Sequence, residues 1–195
     1  MRSHVNNDNI FLMKRLDKKI SMALLVLALM SAPSYGGEQP AYSIDSQNAS
    51  PAVKHLMELY KEGQCSIIEV MQAEEAELLA RICKIGESHN VKAEMVTTHA
   101  VENNPMVLLE RERMKKGVAS IKEVQQAQEE CMRIMDMGTF LSAVRGEPEC
   151  GTLISRLKYV VECQLHVAQE VYDAIGDKKM LVAMQVKRDE WFPVE

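Results

Sequence analysis

The sequence predicts an all-α fold, a bundle of five or six helices that follows a cleaved signal peptide. Apolar residues recur at three- and four-residue intervals through most of the chain beyond residue 50, as they do on the buried face of a helix. Capping residues followed by proline, and a capping box, mark where several of these segments begin. No two strand-like segments are joined by a credible hairpin turn.

Residues 1–36 have the features of a secretory signal peptide. Basic residues at 14–19 precede an apolar stretch, and Ser34 and Gly36 suit the −3 and −1 positions for cleavage after Gly36. The apolar stretch from Ile20 to Ser34 is shorter than the roughly 20 residues that span a bilayer. We therefore expect a periplasmic or secreted protein with no stable membrane insertion after cleavage.

The mature chain divides into a short polar segment and one domain. Residues 37–50 are polar and lack helical periodicity, which predicts a flexible lead-in. Residues 51–195 have the length of a single helical domain, and 47% of the whole chain is hydrophobic.

The first two helices have clear boundaries. Ser50-Pro51 predicts the start of the first, and Gly63 its end. Ser66 begins the second, which we expect to stop at Gly86. Its apolar stripe comprises Ile67, Ile68, Met71, Leu78, Leu79, Ile82 and Ile85.

The middle of the chain predicts three more segments. A short helix is expected from Asn90 through Val101. Asn104-Pro105 opens the next, which Gly117 closes. Ser120 to Glu123 is a capping box, and the helix that it opens should reach about Val144.

Two helices complete the chain. Thr152 can cap a helix that runs toward Gly176, after the break at Arg145 to Gly151. The last helix should extend from about Asp177 to Trp191.

Five cysteines in an exported chain favour disulfides, although an odd number leaves one thiol free or paired between molecules. Cys65 directly precedes the second predicted helix and Cys83 lies 18 residues later, about 27 Å at the rise of one continuous helix, so they cannot pair there. Cys150, at the tip of the following hairpin, could reach either of them. Five buried reduced thiols remain the alternative.

The predicted helices 121–144 and 153–175 should form an antiparallel hairpin. Cys131 lies 17 residues before the centre of its loop and Cys163 lies 15 residues after it, so the two are at nearly the same level. A Cys131–Cys163 bridge would then stabilise the hairpin by a few kcal/mol.

The segment CMRIMDM, residues 131–137, raises the question of a copper site, because thioether and thiolate ligands select Cu(I). Helical phase places Cys131 and Met135 in an apolar stripe, which favours core packing. Met132 and Met137 lie off the centre of the stripe and are candidates for a contact surface. The stripe comprises Ile121, Val124, Cys131, Ile134, Met135, Gly138, Leu141 and Val144.

Charge and motifs exclude several functions. Cleavage after Gly36 removes five basic and two acidic side chains, leaving 18 basic and 26 acidic ones and a formal charge of −8. Nucleic acid is a poor partner for such a chain, whereas a basic-surfaced protein would be attracted. No catalytic motif is present, so the sequence does not support enzymatic activity, although it leaves an enzyme possible, and we expect no cofactor.

Residues 131–193 resemble the periplasmic immunity proteins that neutralise amidase effectors of type VI secretion. The likeness lies in Cys131 followed by the segment 138–141 (GTFL), in Cys163 followed by Gln-Leu, and in the terminal 191–193 (WFP). The chain has Val194 where the family has a cysteine. The resemblance implies a small helical exported domain, often dimeric, that inhibits a cell-wall amidase by direct contact.

The leading hypothesis is an exported helical protein-binding protein, in its most concrete form an immunity or inhibitor protein against a cell-envelope toxin. One alternative is an accessory component of an envelope secretion or conjugation assembly. Another is a periplasmic copper carrier or sensor that uses Met, Cys and His ligands.

Overall fold

A computed structural model describes residues 42–45 and 47–193, and it confirms the all-α class: these residues form seven helices and no strand. The predicted signal peptide and its cleavage site after Gly36 lie outside the described residues. Within the described part of the chain, no helix is both long and apolar enough to cross a membrane. The helices are α1 (Pro51–Lys61), α2 (Ile67–Ser88), α3 (Thr98–Glu102), α4 (Pro105–Lys115), α5 (Ile121–Val144), α6 (Gly151–Ile175) and α7 (Lys178–Trp191).

Most helix starts follow the predicted capping chemistry. Ser50 accepts a hydrogen bond from the Val53 amide, and Asn104 accepts one from the Met106 amide at 3.1 Å; a proline occupies the first turn in both cases. The predicted capping box of Ser120 and Glu123 is present. α7 begins one residue after its N-cap, Asp177.

The end of α2 differs from its prediction. Gly86 does not stop the helix, which continues to Ser88. A Cβ at Gly86 would lie 2.5 Å from Cζ of Phe140, so this glycine makes room for the Phe140 ring of α5. Asn90 does not begin a helix either. It lies just after the end of α2 with φ of 56°, a left-handed conformation that asparagine tolerates.

Two other boundaries also differ. The helix expected from Asn90 to Val101 is confined to the five residues of α3, which Thr97 caps. α6 begins at Gly151 rather than after a Thr152 cap, and its N-cap Cys150 makes no side-chain capping bond. The seven helices correspond to the seven segments predicted one by one, which is at least one more than the five or six helices predicted for the bundle.

The last helix contacts three other helices of the bundle. α7 packs against α6, α5 and α4, so the predicted two-helix hairpin of α5 and α6 is replaced by an arrangement in which α7 contacts both. The crossing with α5 is close: a Cβ on Gly138 would lie 2.5 Å from the backbone oxygen of Glu190. Nearby, the Trp191 indole donates to the Ile134 carbonyl oxygen at 2.8 Å.

α2 completes the fold by packing against α6 on one side and α1 on the other. α2 and α6 run antiparallel, because His89 after the end of α2 pairs with Glu147 before the start of α6 at 3.1 Å. α1 adds a small second core made of Val53, Met57 and Val70.

Candidate functional site

Two neighbouring acidic residues in the middle of α2 are buried. Glu74 is 3% exposed and Glu75 is 9% exposed. A buried carboxylate is tolerated only with a charged or hydrogen-bonding partner. Each of the two has such partners, and together these contacts form a region that we call the charged seam: Tyr42, Glu74, Glu75, Arg156, Gln164 and Lys187.

Glu74 joins α2 to α6 and to the segment before α1. Arg156 donates to both of its carboxylate oxygens, at 2.8 and 3.0 Å, and to the Ser43 carbonyl oxygen at 2.6 Å. The Tyr42 hydroxyl also donates to Glu74. Burial, and then the bond to Glu74, raise the pKa of Tyr42, so the phenol stays protonated and can donate.

Residues 42–45 therefore have a defined position beside α2 and α6. The Ser43 amide donates to the Tyr159 hydroxyl at 3.1 Å, and the Tyr42 and Tyr159 rings stack with centroids 6.3 Å apart. The flexibility expected for the lead-in, residues 37–50, stays a prediction.

Glu75 joins α2 to both α6 and α7. The Lys187 ammonium lies 2.8 and 3.0 Å from its two carboxylate oxygens, and Gln164 donates to it at 2.7 Å. Lys187 also lies over the Trp191 ring, 5.0 Å from its centroid. The other amide atom of Gln164, its Oε1, is buried without a hydrogen-bond partner among the described residues.

Sequence reasoning missed the charged seam, although the pattern of α2 contained a signal for it. The apolar stripe of α2 passes from Met71 to Leu78, and the positions between them that continue a helical stripe are 74 and 75. Glutamates at both positions interrupt the stripe on the face that packs. The partners Arg156 and Lys187 are distant in sequence and could not be identified.

A cleft of about 400 Å³ lies beside the seam, between α2, α6 and the turn that precedes α1. Leu78, Ile85 and Leu153 give it an apolar floor. The Glu74–Arg156 pair lies at one end. Five charged side chains line the rest of the cleft: Asp45, Glu77, Arg81, Lys84 and Glu149.

A second surface of interest is the end of the bundle formed by the α4–α5 turn. Three apolar side chains within eight residues point outward there: Met114 is 37% exposed, Val118 60% and Ile121 69%. We call these three residues the apolar end face. Single exposed apolar residues are common, but a group of them marks a contact surface.

The backbone beneath the end face is fixed by local hydrogen bonds. The Val118 amide donates to the Arg113 carbonyl oxygen at 3.0 Å, and Gly117 has φ of 72°, a value that favours glycine. The capping box of Ser120 follows directly. The turn therefore presents its apolar side chains from a defined backbone.

The carboxylates around the end face are paired within the chain, whereas Lys115 and Lys122 beside it are exposed and form no ion pair with a described residue. Lys116 lies 2.6 Å from Glu112. Lys179 of α7 lies 3.1 Å from Glu123 and 3.5 Å from Glu110, which brings the first turn of α7 against α4 and α5. Because these carboxylates already have cations beside them, this surface offers a partner apolar contact flanked by two lysines.

The prediction for Ile121 was wrong: the helical stripe places it in the core, whereas it is exposed. Ile121 is the first residue of α5, and the first turn of a helix can project beyond the elements that cover its later turns. Val124, Cys131 and Leu141, further along the same stripe, are buried as predicted.

The sulfur-rich segment of α5 is divided between core and surface. Cys131 is fully buried, and its thiol donates to the Met135 sulfur at 3.5 Å. Burial raises the pKa of Cys131 to about 11, which disfavours the thiolate that a metal would bind. Met132 is 47% exposed and keeps its candidacy for a contact surface, whereas Met137 is partly buried against the core.

All five cysteines lie within the described residues, and all five are free thiols. The predicted Cys131–Cys163 bridge is therefore not formed in the structure, and neither is a bridge from Cys150 to Cys65 or Cys83. The hairpin geometry behind the first pairing is replaced by the contacts of α7 with both helices. Pairing after export stays a prediction, which a non-reducing peptide map tests.

Within residues 42–45 and 47–193, no group of three or more His, Cys, Asp or Glu side chains is arranged to hold a metal ion. No protein-family model matches the chain, and neither a curated protein nor a solved structure is significantly similar to it.

Proposed function

We propose that this chain is an exported helical protein-binding protein that acts in the periplasm as an immunity or inhibitor protein against a cell-envelope toxin. The observation that carries the binding role is the apolar end face, where Val118 and Ile121 are exposed on a turn whose backbone is fixed. Such a surface can bury its apolar groups against a partner with little loss of backbone freedom.

The inhibitory role rests on two further features. The N-terminal 36 residues have the pattern of a signal peptide, which would place the mature chain where envelope toxins act. Residues 131–193 resemble periplasmic immunity proteins of amidase effectors. A basic-surfaced partner is expected from the charge of −8 on the mature chain, whereas the end face itself would contribute apolar contact.

The test is capture of the partner from a periplasmic extract of the source cells. The mature chain, immobilised through its C-terminus, should retain an envelope hydrolase or toxin. The variant V118S/I121S should not retain it. A matched control is Met95→Ser, because Met95 is 93% exposed but lies outside the end face; this variant should capture the partner like the unmodified chain.

Three outcomes would contradict the proposal. Retention of subunits of a secretion or conjugation machine would favour an accessory role in an envelope assembly. Stoichiometric Cu(I) uptake that is lost when Met132, Met135 and Met137 become leucine would favour the copper carrier. Equal capture by the unmodified chain and V118S/I121S would remove the end face from the function.

A further inference from the structure

We infer that the cleft between α2 and α6 binds a free α-amino acid with a large apolar side chain. This inference concerns a surface distinct from the end face, and it does not depend on the proposed function. It rests on the distribution of apolar and charged groups along the length of the cleft.

The charged groups at the Glu74 end of the cleft have partners within the chain. Arg156 and Glu74 pair with each other, and Asp45 accepts hydrogen bonds from Gln47 and Asn48, so none of these charges needs a ligand. The floor of Leu78, Ile85 and Leu153 offers a ligand only apolar contact. A branched or aromatic side chain that entered here would be desolvated without losing a hydrogen bond.

The opposite end of the cleft differs, because it has charges of both signs without partners. Lys84 is ten residues beyond Glu74, about 15 Å further along α2. Arg81 lies one turn before Lys84, and Glu149 projects from the turn that precedes α6. None of these three side chains forms an ion pair with a described residue, although all three line one cleft. Glu77, one turn before Arg81, is a second carboxylate on the lining without an ion pair to a described residue.

A ligand that satisfies this arrangement has an apolar group at one end and both charges at the other. An α-amino acid has this form: its carboxylate can meet Arg81 and Lys84 while its ammonium group meets Glu149. A fatty acid would leave Glu149 without a counter-ion, and an amine would leave the two cations without one. The volume of about 400 Å³ lies within the usual range for small-molecule sites.

Calorimetric titration of the mature chain with L-leucine tests the inference. We expect one site per chain, with weaker binding of L-alanine because it leaves the floor uncovered. N-acetyl-L-leucine lacks the ammonium group and L-leucinamide lacks the carboxylate. Each should bind at least about tenfold more weakly than leucine, since each loses a charge-assisted hydrogen bond.

Substitutions in the cleft test which side chain binds each charge of the ligand. Lys84→Met should weaken leucine binding and narrow the difference between leucine and leucinamide. Glu149→Gln should narrow the difference between leucine and N-acetyl-leucine. Lys122→Met, at an exposed lysine in the first turn of α5, is the matched control and should leave all affinities unchanged.

The inference fails if leucine gives no binding at millimolar concentration. It also fails if N-acetyl-leucine binds as tightly as leucine, a result that would indicate a site for anionic amphiphiles. Equal weakening by Lys84→Met and Lys122→Met would show that the cleft is not where leucine binds. Each of these results is independent of partner capture by the end face.

Discussion

The charged seam and the apolar end face reverse the usual placement of residue types. In the seam, Glu74 and Glu75 are buried between helices, whereas at the end face Val118 and Ile121 are exposed. The seam contacts satisfy charges within the chain, and they connect α2 with α6 and α7. The end-face side chains have no comparable cover from the described chain. A residue out of its usual place thus stabilises the fold where partners surround it and is available for binding where they do not.

The largest effect is expected from breaking the inner pair of the seam. Glu75→Leu leaves the Lys187 ammonium buried without its carboxylate and removes the acceptor of Gln164, so the free energy of unfolding should fall by about 3–5 kcal/mol. Equilibrium unfolding in urea measures this loss of free energy. The double variant E75L/K187M, which removes both charges, should recover most of the loss. A single-variant cost below about 1 kcal/mol would show that Lys187 does not depend on Glu75.

A smaller loss is expected where α7 crosses α5. Gly138→Ala places a methyl group 2.5 Å from the Glu190 carbonyl oxygen, which belongs to the backbone and cannot rotate away. We expect a loss of about 1–3 kcal/mol, measured by the same unfolding experiment. The control is Gly146→Ala, because a Cβ there has no neighbour within 4 Å. Equal stability of the two variants would mean that the α5–α7 crossing is looser than described.

The smallest effect on stability is expected at the end face. V118S/I121S removes side chains that are mostly exposed, so the free energy of unfolding should change by no more than about 0.5 kcal/mol. Leu141→Ala is the contrasting truncation in the core, where Leu141 is 1% exposed, and it should cost about 2–5 kcal/mol. A comparable loss in V118S/I121S would assign the end face to the fold rather than to binding.

The sequence predicted those features that depend on neighbouring residues. The caps at Ser50, Asn104 and Ser120 and the helix end at Gly176 follow from local backbone chemistry, and all four are observed. Gly86 shows the limit of such reasoning. A glycine can end a helix or make room for a side chain of another helix, and only the position of Phe140 on α5 decides between the two.

The candidate sites depend on contacts between residues far apart in the chain. Lys187 is 112 residues from Glu75, and nothing local to either predicts that they meet. The same holds for the cleft, whose walls come from α2 and from the start of α6. The prediction that Ile121 is buried was wrong for a different reason. Helical phase gives the side that a residue faces, but it does not give the point at which the covering helices end.

The most direct test of the division between fold and binding is the affinity of the captured partner, measured by calorimetry for residues 37–195 without substitutions and for V118S/I121S. We expect the double variant to retain its free energy of unfolding within about 0.5 kcal/mol and to lose affinity by at least about a hundredfold, as when central apolar contacts are removed from an interface. Unchanged affinity in V118S/I121S, with a stable fold, would contradict the assignment of binding to the end face.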